Sequence, residues 1–492
     1  MSDAVVRAAT TIDAIARWAR LRPTAPAFIA GDAVLDFARL AREIDGMAAA
    51  LQAAGVRPGA PTGLVLETTP RHFLVQLALF RLGAAVVPLS SAEPANERRA
   101  VLARAGARLS VCLAGQEIGG APHVLLDRLT GPGVPASLPP PPGPDVVAYF
   151  ARSSGTSRGV PKLVATTFGH AAAADARALR SYPIVPRDRH LMLAPLGAYF
   201  GRHHSRRALA AGAAVIFAPA DRSAAAVRAA VLRHRATLSA LTPPMLRDLL
   251  ATAGEELVLP GVRVYTSTAP LTGVERHAVL ARLTPYLHIS YGTSEVGGIS
   301  MAVPADLAVD IETLGRPLAG VEVEIVDDVH RPLPPGEVGT VRARSSEFPS
   351  AYVDEVPGAS SRFRGGWFYP GDVGTIDDDG RIVLAGRVDD IINVGGKKVY
   401  PTDIERVIAR HGAVREAAVV AVPDARHGQV PVAAVVLRGA ADEASLVRFC
   451  ADALPPRLRP RRVIAVAALP RNAAGKLDRR RLASMVGEPI AG

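Results

Sequence analysis

The sequence predicts an α/β fold with a large N-terminal domain, built from α/β sheet subdomains and a small β-rich subdomain, and a small C-terminal α+β domain. Three observations predict it. The 492 residues are too many for one hydrophobic core. The first half alternates helix-period segments with short apolar runs, as in parallel sheets covered by helices. The C-terminal part carries a strand and helix pattern of its own.

The N-terminal elements follow one another as helix, strand, helix and strand. The segment "TTIDAIARWARLRP" is Arg-rich, but its helical spacing and Asp13 favour a structural helix over a transit peptide. A second helix follows, with Leu40, Ile44, Met47 and Leu51 on one face. The strand "TGLVLE", the helix "RHFLVQLALFRLG" and the buried strand "AAVVPLS" come next. This β-α-β order predicts a mostly parallel sheet.

The later elements form three further regions. The stretch from Gly131 to Asp145 is a Pro-rich, stiff linker. A second α/β region reaches about Val309, and a β-rich region from Leu314 to Ile382 contains the alternating strands "VEVEIVD" and "GTVRARS". The last region has three predicted strands separated by helices: "AAVVAVP", "PVAAVVL" and "RVIAVA".

Composition narrows the class of protein. With 49% hydrophobic and 21% charged residues, the chain resembles ordinary globular enzymes. No apolar stretch is long enough to span a membrane, so we expect no membrane partner. The two cysteines, Cys112 and Cys450, are far apart in the sequence. They indicate a reducing cytoplasm and exclude a disulfide framework or a cysteine-based metal site.

The formal charge of +11 invites a nucleic-acid hypothesis. The arginines, however, are spread at one or two per helical turn, which is typical of solvated helix faces, and no run of five basic residues occurs. We therefore expect no nucleic-acid partner. Only four basic residues are lysines, namely Lys162, Lys397, Lys398 and Lys476. In a chain that otherwise uses Arg, they mark positions where a compact ammonium is needed.

Four short stretches carry chemistry. "SSGTSRGVPK" ends at Lys162 and lacks the Walker spacing, but its hydroxyls and glycine amides can form an anion nest. In "HISYGTSEVGG", Thr293, Ser294 and Glu295 turn out of a strand, where hydroxyls beside a carboxylate suit Mg²⁺ and a phosphate. Taken alone, the first is a flexible loop and the second a tight surface turn.

The remaining two stretches lie further along the chain. Asp372 is predicted in a turn, where it can accept hydrogen bonds from a ribose, and Arg387 at the end of the following strand can reach the same sugar. Lys476 lies on a glycine turn before a basic helix, which alone is a common surface turn.

The order and spacing of the four stretches resemble the adenylate-forming superfamily: acyl- and aryl-CoA ligases, adenylation domains of peptide synthetases, and luciferase. The resemblance covers nearly the whole chain. It implies an N-terminal adenylation domain at residues 1–387, which binds ATP and the acyl substrate. It also implies a mobile C-terminal domain at residues 388–492 that carries the catalytic lysine.

The resemblance also implies roles for individual residues. The phosphates of ATP would be held by the first loop and its lysine: Ser153, Ser154, Gly155, Thr156, Ser157, Gly159 and Lys162. Arg158 is one residue more than the family's loop usually has. The adenine would lie against Tyr291 and Gly292, the α-phosphate against Thr293 and Ser294, and Glu295 would hold Mg²⁺. Asp372 and Arg387 would bind the ribose.

The implied reaction has two steps. A carboxylate attacks the α-phosphorus of ATP, Lys476 bridges the two anions, and pyrophosphate leaves an acyl-adenylate. The C-terminal domain then rotates about Asp389 and brings Gly395 and Gly396 beside a pantetheine thiol. CoA or a carrier-protein pantetheine would be the acceptor. Alternatives left open are an amine acceptor and a small oxyanion, such as nitrite, in place of the carboxylate.

The acid is harder to assign. The run "GAYFGRHHSRR" has no acidic residue to bind an α-amino group, which disfavours amino acids. Tyr199 and Phe200 either line an aryl or acyl pocket or simply pack, and Ser267 or Thr268 replaces a glycine usual in the adenine and acyl pocket. Vicinal His203 and His204 do not suit one metal site. The arginines of this run, at 202, 206 and 207, either meet an anionic substrate or face water.

Overall fold

A computed structural model of the chain describes residues 10–119, 122–129, 138–152, 162–349, 352, 362–439, 441–471 and 477–487. The α-helices of these residues are α1 (Thr11–Leu21), α2 (Phe37–Ala53), α3 (Pro70–Leu82), α4 (Ala95–Arg104), α5 (Phe168–Ser181), α6 (Tyr199–Ala210), α7 (Ala224–His234), α8 (Pro243–Thr252), α9 (Gly273–Arg282), α10 (Pro304–Val309), α11 (Pro401–Ile408), α12 (Glu443–Ala453) and α13 (Arg479–Val486). The first part of the predicted linker, residues 131–137, lies outside the described residues.

The strands of the same residues form four sheets. In chain order they are β1 (Pro26–Ala30), β2 (Ala33–Asp36), β3 (Pro61–Leu66), β4 (Ala85–Ser90), β5 (Leu109–Cys112), β6 (His123–Leu125), β7 (Val147–Arg152), β8 (Leu163–Thr167), β9 (Arg189–Met192), β10 (Ala214–Phe217), β11 (Leu238–Leu241), β12 (Arg263–Thr266), β13 (Leu287–Thr293), β14 (Gly297–Ala302), β15 (Arg316–Pro317), β16 (Glu322–Val326), β17 (Gly339–Arg344), β18 (Phe363–Arg364), β19 (Trp367–Phe368), β20 (Asp372–Ile376), β21 (Ile382–Arg387), β22 (Ile392–Val394), β23 (Lys397–Val399), β24 (Val414–Asp424), β25 (Gly428–Leu437) and β26 (Arg462–Ala465).

The two larger α/β sheets confirm the predicted mixed α/β fold. One has the order β6-β5-β3-β4-β7-β8, with β3 and β4 parallel and joined by α3. Thr69 caps the start of α3, Pro70 occupies its first turn, and Gly83 ends it with a positive φ of 73°. The predicted β-α-β unit is therefore present, with the boundary residues that its sequence indicates.

The second α/β sheet positions the candidate site. Its order is β15-β14-β13-β12-β11-β9-β10-β1-β2, with parallel strands from β13 to β1 and antiparallel edges. Among its parallel strands, β10 is apolar and buried at all four residues, as expected of a strand covered on both faces. The N-terminal helix α1 forms as predicted, and Thr10 and Asp13 make a reciprocal capping box at its start.

The β-rich region forms a third, antiparallel sheet, as its alternating sequence predicts. Its main path is β18-β19-β17-β20-β21, and β16 pairs with β17. One prediction within it is wrong: Asp372 does not lie in a turn but is the first residue of β20, opposite Arg387 in the register. The turn comes just before it, at Gly371, whose φ is 83°.

The C-terminal strands form a fourth sheet of their own, in the order β23-β22-β25-β24, with β26 parallel to β25. Its buried residues form clusters drawn from residue 392 onwards. The predicted domain boundary at residue 387 falls between β21 in the third sheet and β22 in the fourth, and the division itself stays a prediction. Among the described residues, no helix combines the length and the apolar character needed to cross a bilayer.

Candidate active site

A cluster of three side chains, of which Tyr291 and Asp372 are buried and Arg387 is partly exposed, lies where the second and third sheets meet. The hydroxyl of Tyr291, in β13, donates to Oδ2 of Asp372 at 2.6 Å. Nη1 of Arg387 donates to Oδ1 of Asp372 at 2.8 Å and to the carbonyl of Pro370 at 2.9 Å. Tyr291 is 8% exposed and Asp372 is 7% exposed. The structure thus brings together three of the residues predicted to hold adenine and ribose.

The electrostatics of this cluster keep its members in fixed protonation states. Burial, together with the charge of Asp372, raises the pKa of Tyr291 well above its ordinary value. For Arg387, burial opposes the charged form, but the carboxylate of Asp372 more than compensates and raises its pKa. Tyr291 therefore remains a hydrogen-bond donor and Arg387 a cation at every physiological pH.

The hairpin after Tyr291 presents the predicted phosphate and metal residues. Thr293, the last residue of β13, pairs with Gly297, the first residue of β14, so Ser294 and Glu295 lie in a tight turn. The turn requires glycine at 292, because a Cβ there would lie 2.2 Å from the carbonyl oxygen of Gly297. Hydroxyl and carboxylate oxygens therefore project from one edge of the sheet.

This edge fits a magnesium ion bound together with a nucleotide. Mg²⁺ prefers oxygen ligands and is usually bound by one or two carboxylates plus substrate phosphates rather than by an all-protein cage. Glu295 supplies the carboxylate, and Thr293 and Ser294 supply hydroxyls. One carboxylate beside two hydroxyls is the donor set of the shared type of site. No group of three metal-ligating His, Cys, Asp or Glu side chains occurs in the described part of the chain.

A tyrosine that the sequence analysis did not single out joins this hairpin to the predicted phosphate-binding lysine. The hydroxyl of Tyr352 donates to Oε1 of Glu295 at 2.9 Å. Nζ of Lys162 lies 4.7 Å from the centre of the Tyr352 ring. Tyr352 lies outside the four stretches singled out in the sequence, and it is 57 residues from Glu295, so local spacing did not connect the two.

Several predicted residues lie outside the described part of the chain. They are the loop residues Ser153, Ser154, Gly155, Thr156, Ser157, Arg158 and Gly159, and the catalytic candidate Lys476. Their neighbours are described: β7 ends at Arg152, and α13 begins at Arg479. The roles of the loop and of Lys476 stay predictions.

The helix α6 buries its polar residues instead of exposing them. Arg202, Arg206 and Arg207 are each at most 6% exposed, so the alternative that they face water is wrong. Arg206 forms a two-pronged ion pair with Asp175, and Arg207 donates to the same carboxylate at 2.9 Å. Arg202 donates to the carbonyls of Leu196 and Gly197, at 2.9 and 3.3 Å.

The two histidines of α6 are packing residues. His203 stacks on Tyr199 with ring centres 3.8 Å apart, and His204 packs edge-on against Phe200 at 4.7 Å. Burial, assisted by the neighbouring arginines, lowers the pKa of both histidines well below the ordinary value. Phe200 is buried at 8% exposure, whereas Tyr199 is partly exposed at the start of the helix. Phe200 is thus in contact with His204 in the buried part of α6, and the predicted pocket roles of Tyr199 and Phe200 stay predictions.

The segment after β12 distinguishes Ser267 and Thr268 by their backbone conformation. Thr268 has a φ of 84°, a left-handed conformation that glycine adopts readily and a β-branched residue rarely does. Ser267 is not among the described non-glycine residues with positive φ. Of the two residues, Thr268 is therefore the one whose backbone conformation favours glycine.

The predicted hinge and thiol residues lie in and beside the fourth sheet. Asp389 lies in a single 3₁₀ turn, Val388–Asp390, between β21 and β22. Gly395 and Gly396 form the turn between β22 and β23, with φ of 54° and 83°. In the C-terminal region, Arg479 forms ion pairs with Asp390 at 3.1 Å and with Glu405 at 2.7 Å. These pairs hold the start of α13 beside the predicted hinge turn.

Comparison with known proteins gives consistent results over most of the chain. The family described as AMP-binding enzyme matches residues 15–353, and the AMP-binding enzyme C-terminal domain matches residues 403–476. The 2-succinylbenzoate–CoA ligase of Geobacillus kaustophilus is 30% identical, over 92% of this chain and 93% of the relative.

Two solved structures are also similar. One is the o-succinylbenzoate CoA synthetase of Bacillus subtilis in complex with its acyl-adenylate intermediate. It has a TM-score of 0.86 and 25% identity, over 95% of this chain and 97% of that chain. The other is an amide bond synthetase of Marinactinospora thermotolerans, with a TM-score of 0.83 and 29% identity, over 96% and 100% of the two chains.

Proposed function

The chain belongs to the AMP-binding enzyme family and is an AMP-forming ligase that activates a carboxylic acid as an acyl-adenylate, and from this premise we propose how its residues act and that CoA is its acceptor. The observation that carries the proposal is the juxtaposition of two groups. The Tyr291–Asp372–Arg387 cluster adjoins the Thr293–Glu295 hairpin, because Tyr291 and Thr293 both lie at the end of β13. A nucleoside and its phosphates need these two chemistries side by side.

In the proposed complex, Asp372 and Arg387 hold the ribose and Tyr291 lies against the adenine. Thr293 and Ser294 donate to the α-phosphate, and Lys162 lies near the β- and γ-phosphates. Glu295 holds Mg²⁺, which when bound acts as a Lewis acid on the phosphate oxygens. Lys476 supplies a further positive charge between the incoming carboxylate and the α-phosphate, which offsets the repulsion of the two anions.

The second step uses the fourth sheet. We place the hinge at Asp389, where a single 3₁₀ turn separates the last strand of the third sheet from the first strand of the fourth. The turn of Gly395 and Gly396 then approaches the pantetheine thiol, because two glycines with positive φ leave the backbone open. The thiol attacks the acyl carbon, AMP leaves, and a thioester forms.

The named relatives support CoA as the acceptor, since one is a CoA ligase and one a CoA synthetase. The same turn could serve the pantetheine of an acyl carrier protein. A second candidate is an amine acceptor, which the similarity to an amide bond synthetase favours. We further propose a cytoplasmic location, since Cys112 and Cys450 are both free, buried thiols.

The experiment is pyrophosphate release with ATP and Mg²⁺ over a panel of aryl, fatty, amino and dicarboxylic acids. Each acid is tested alone, with CoA, and with a primary amine, and the products are identified by mass spectrometry. We expect release for one class of acid, with an acyl-CoA product. Release with an amide and no thioester would favour the amine candidate. The absence of acid-dependent release would overturn the proposal.

A further inference from the structure

Tyr352 occupies an unusual place between the two predicted binders of ATP and its metal. Its hydroxyl donates to Oε1 of Glu295 at 2.9 Å, and Nζ of Lys162 lies 4.7 Å from the centre of its ring. We infer that Tyr352 is a positioning residue that orients the Glu295 carboxylate for a single metal bond and holds Lys162 for the phosphates. The inference rests on the proposed function.

The position of Tyr352 is itself well fixed. The side chain is 4% exposed, and its ring packs edge-on against Phe363 with centres 5.4 Å apart and planes at 75°. A buried aromatic ring with one polar tip can hold that tip in place because few of its rotamers fit the packing. The hydroxyl is therefore a fixed donor for Glu295.

The hydrogen bond leaves the two oxygens of Glu295 unequal. Oε1 accepts the Tyr352 proton, so Oε2 is the oxygen with both lone pairs available to a cation. A carboxylate that offers one oxygen suits Mg²⁺, which requires near-octahedral geometry, whereas Ca²⁺ readily takes both oxygens of a carboxylate in larger coordination shells. Tyr352 thus favours the smaller ion. Hydrogen-bond partners of metal ligands commonly have this orienting effect.

The ring has a separate effect on Lys162. An ammonium over an aromatic face is attracted by the negative electrostatic potential of the ring. This contact keeps the lysine at the end of the predicted phosphate loop beside the hairpin that carries Glu295. Tyr352 therefore keeps the lysine proposed to bind the phosphates close to the carboxylate proposed to hold their metal ion.

Two substitutions separate these effects. Tyr352→Phe removes the hydroxyl and keeps the ring, and Tyr352→Leu removes both. Tyr286→Phe is the matched control, because Tyr286 is 48% exposed and lies on the segment before β13, away from the hairpin turn. All three variants of the full chain are first checked for folding by near-ultraviolet circular dichroism.

The measurement is binding of ATP by calorimetry without divalent metal, with Mg²⁺ and with Ca²⁺, alongside pyrophosphate release as a function of Mg²⁺ concentration. For Tyr352→Phe we expect an unchanged affinity for ATP in the absence of metal. The Mg²⁺ concentration needed for half-maximal pyrophosphate release should rise about ten-fold, as when other hydrogen-bond partners of metal ligands are removed. Binding supported by Ca²⁺ should change less. Tyr352→Leu should in addition lose about two- to five-fold in metal-free ATP affinity.

Each alternative outcome is decisive. If the ATP affinities of Tyr352→Phe and Tyr286→Phe both equal that of the wild type without metal, with Mg²⁺ and with Ca²⁺, Tyr352 does not position Glu295. If Tyr352→Phe weakens Mg²⁺ and Ca²⁺ binding equally, selection of the smaller ion is wrong. Glu295→Gln separates the inference from the proposed function: if it binds Mg²⁺ with ATP as the wild type does, the proposed metal site itself fails. Loss in Glu295→Gln with none in Tyr352→Phe overturns only the inference.

Discussion

The hydroxyl of Tyr291 and the carboxylate of Asp372 are 2.6 Å apart, although they are 81 residues apart in the chain and belong to different sheets. Their bond joins the end of a strand in the second sheet to the start of a strand in the third. Asp372 also accepts a hydrogen bond from Arg387, so the proposed nucleoside site and the contact between the two sheets depend on the same carboxylate.

Tyr291→Phe should therefore lower stability and ATP affinity together. The buried carboxylate of Asp372 would lose one of two side-chain donors, and a hydrogen bond to a charged group contributes about 1.5–3 kcal/mol. Thermal unfolding with and without ATP gives both quantities, and Tyr286→Phe at an exposed position is the control. A variant that unfolds at the wild-type temperature would show that the bond does not stabilise the join.

Stability should fall as the pH is lowered from about 7.5 to 5.5. His203 and His204 have folded pKa values well below their ordinary value of 6.5, so only the unfolded chain takes up their protons below that pH. Each histidine then removes up to about 1.4 kcal/mol of stability per pH unit. His204→Phe, which keeps a ring against Phe200, should reduce the slope of the unfolding temperature against pH. His123→Phe, at an exposed position, should leave that slope unchanged.

Asp175→Asn should be among the most destabilising single changes in the chain. Asp175 is 6% exposed and is the acceptor for both Arg206 and Arg207. Removing one partner of a buried ion pair leaves an uncompensated charge and costs about 3–5 kcal/mol. Urea unfolding followed by tyrosine fluorescence measures this loss, and Asp378→Asn, at an exposed position, is the control. Equal midpoints for the two variants would contradict the role of Asp175.

The contrast between α6 and the proposed nucleotide residues shows what the sequence can predict. That Thr293, Glu295, Asp372 and Arg387 form one candidate site could be proposed because they occur in short motifs whose order along the chain matches a known superfamily; their roles stay predictions. The buried arginines of α6 were not, because arginine on a helix normally faces water. Their burial depends on Asp175, which lies 31 residues before Arg206 and is unremarkable in the sequence.

Tyr352 was missed for a similar reason. Its contact with Glu295 joins two segments that no local pattern connects, and it depends on how the third sheet packs against the second. The strands themselves were predictable from alternation and from glycine and proline turns, whereas the start of β20 at Asp372 depends on pairing with Arg387 across the sheet. Long-range pairing is therefore the part that the local sequence does not determine.

Thr268→Gly should stabilise the protein. A non-glycine residue in the left-handed region costs about 1–2 kcal/mol, part of which is offset by the greater flexibility of glycine in the unfolded chain. We expect a net gain of about 0.5–1 kcal/mol in the free energy of unfolding. Ser267→Gly is the matched control, since Ser267 has no left-handed backbone conformation and no strain is relieved there. A loss of stability in Thr268→Gly would mean that the threonine makes compensating contacts.

The two half-reactions should respond oppositely to changes at Gly396 and Lys476. Gly396 has a φ of 83° with open space around the Cβ position, so Gly396→Ala strains the turn without a clash. We expect normal pyrophosphate release and a thioester-forming step slowed about ten-fold, the cost of roughly 1–2 kcal/mol of left-handed strain.

Lys476→Ala should instead lose pyrophosphate release by orders of magnitude and still convert added acyl-adenylate to acyl-CoA. Rapid-quench assays measure the rates of adenylation and of thioester formation separately. If Gly396→Ala or Lys476→Ala slowed the two steps equally, the assignment of the glycine turn to the second step and of Lys476 to the first would be refuted.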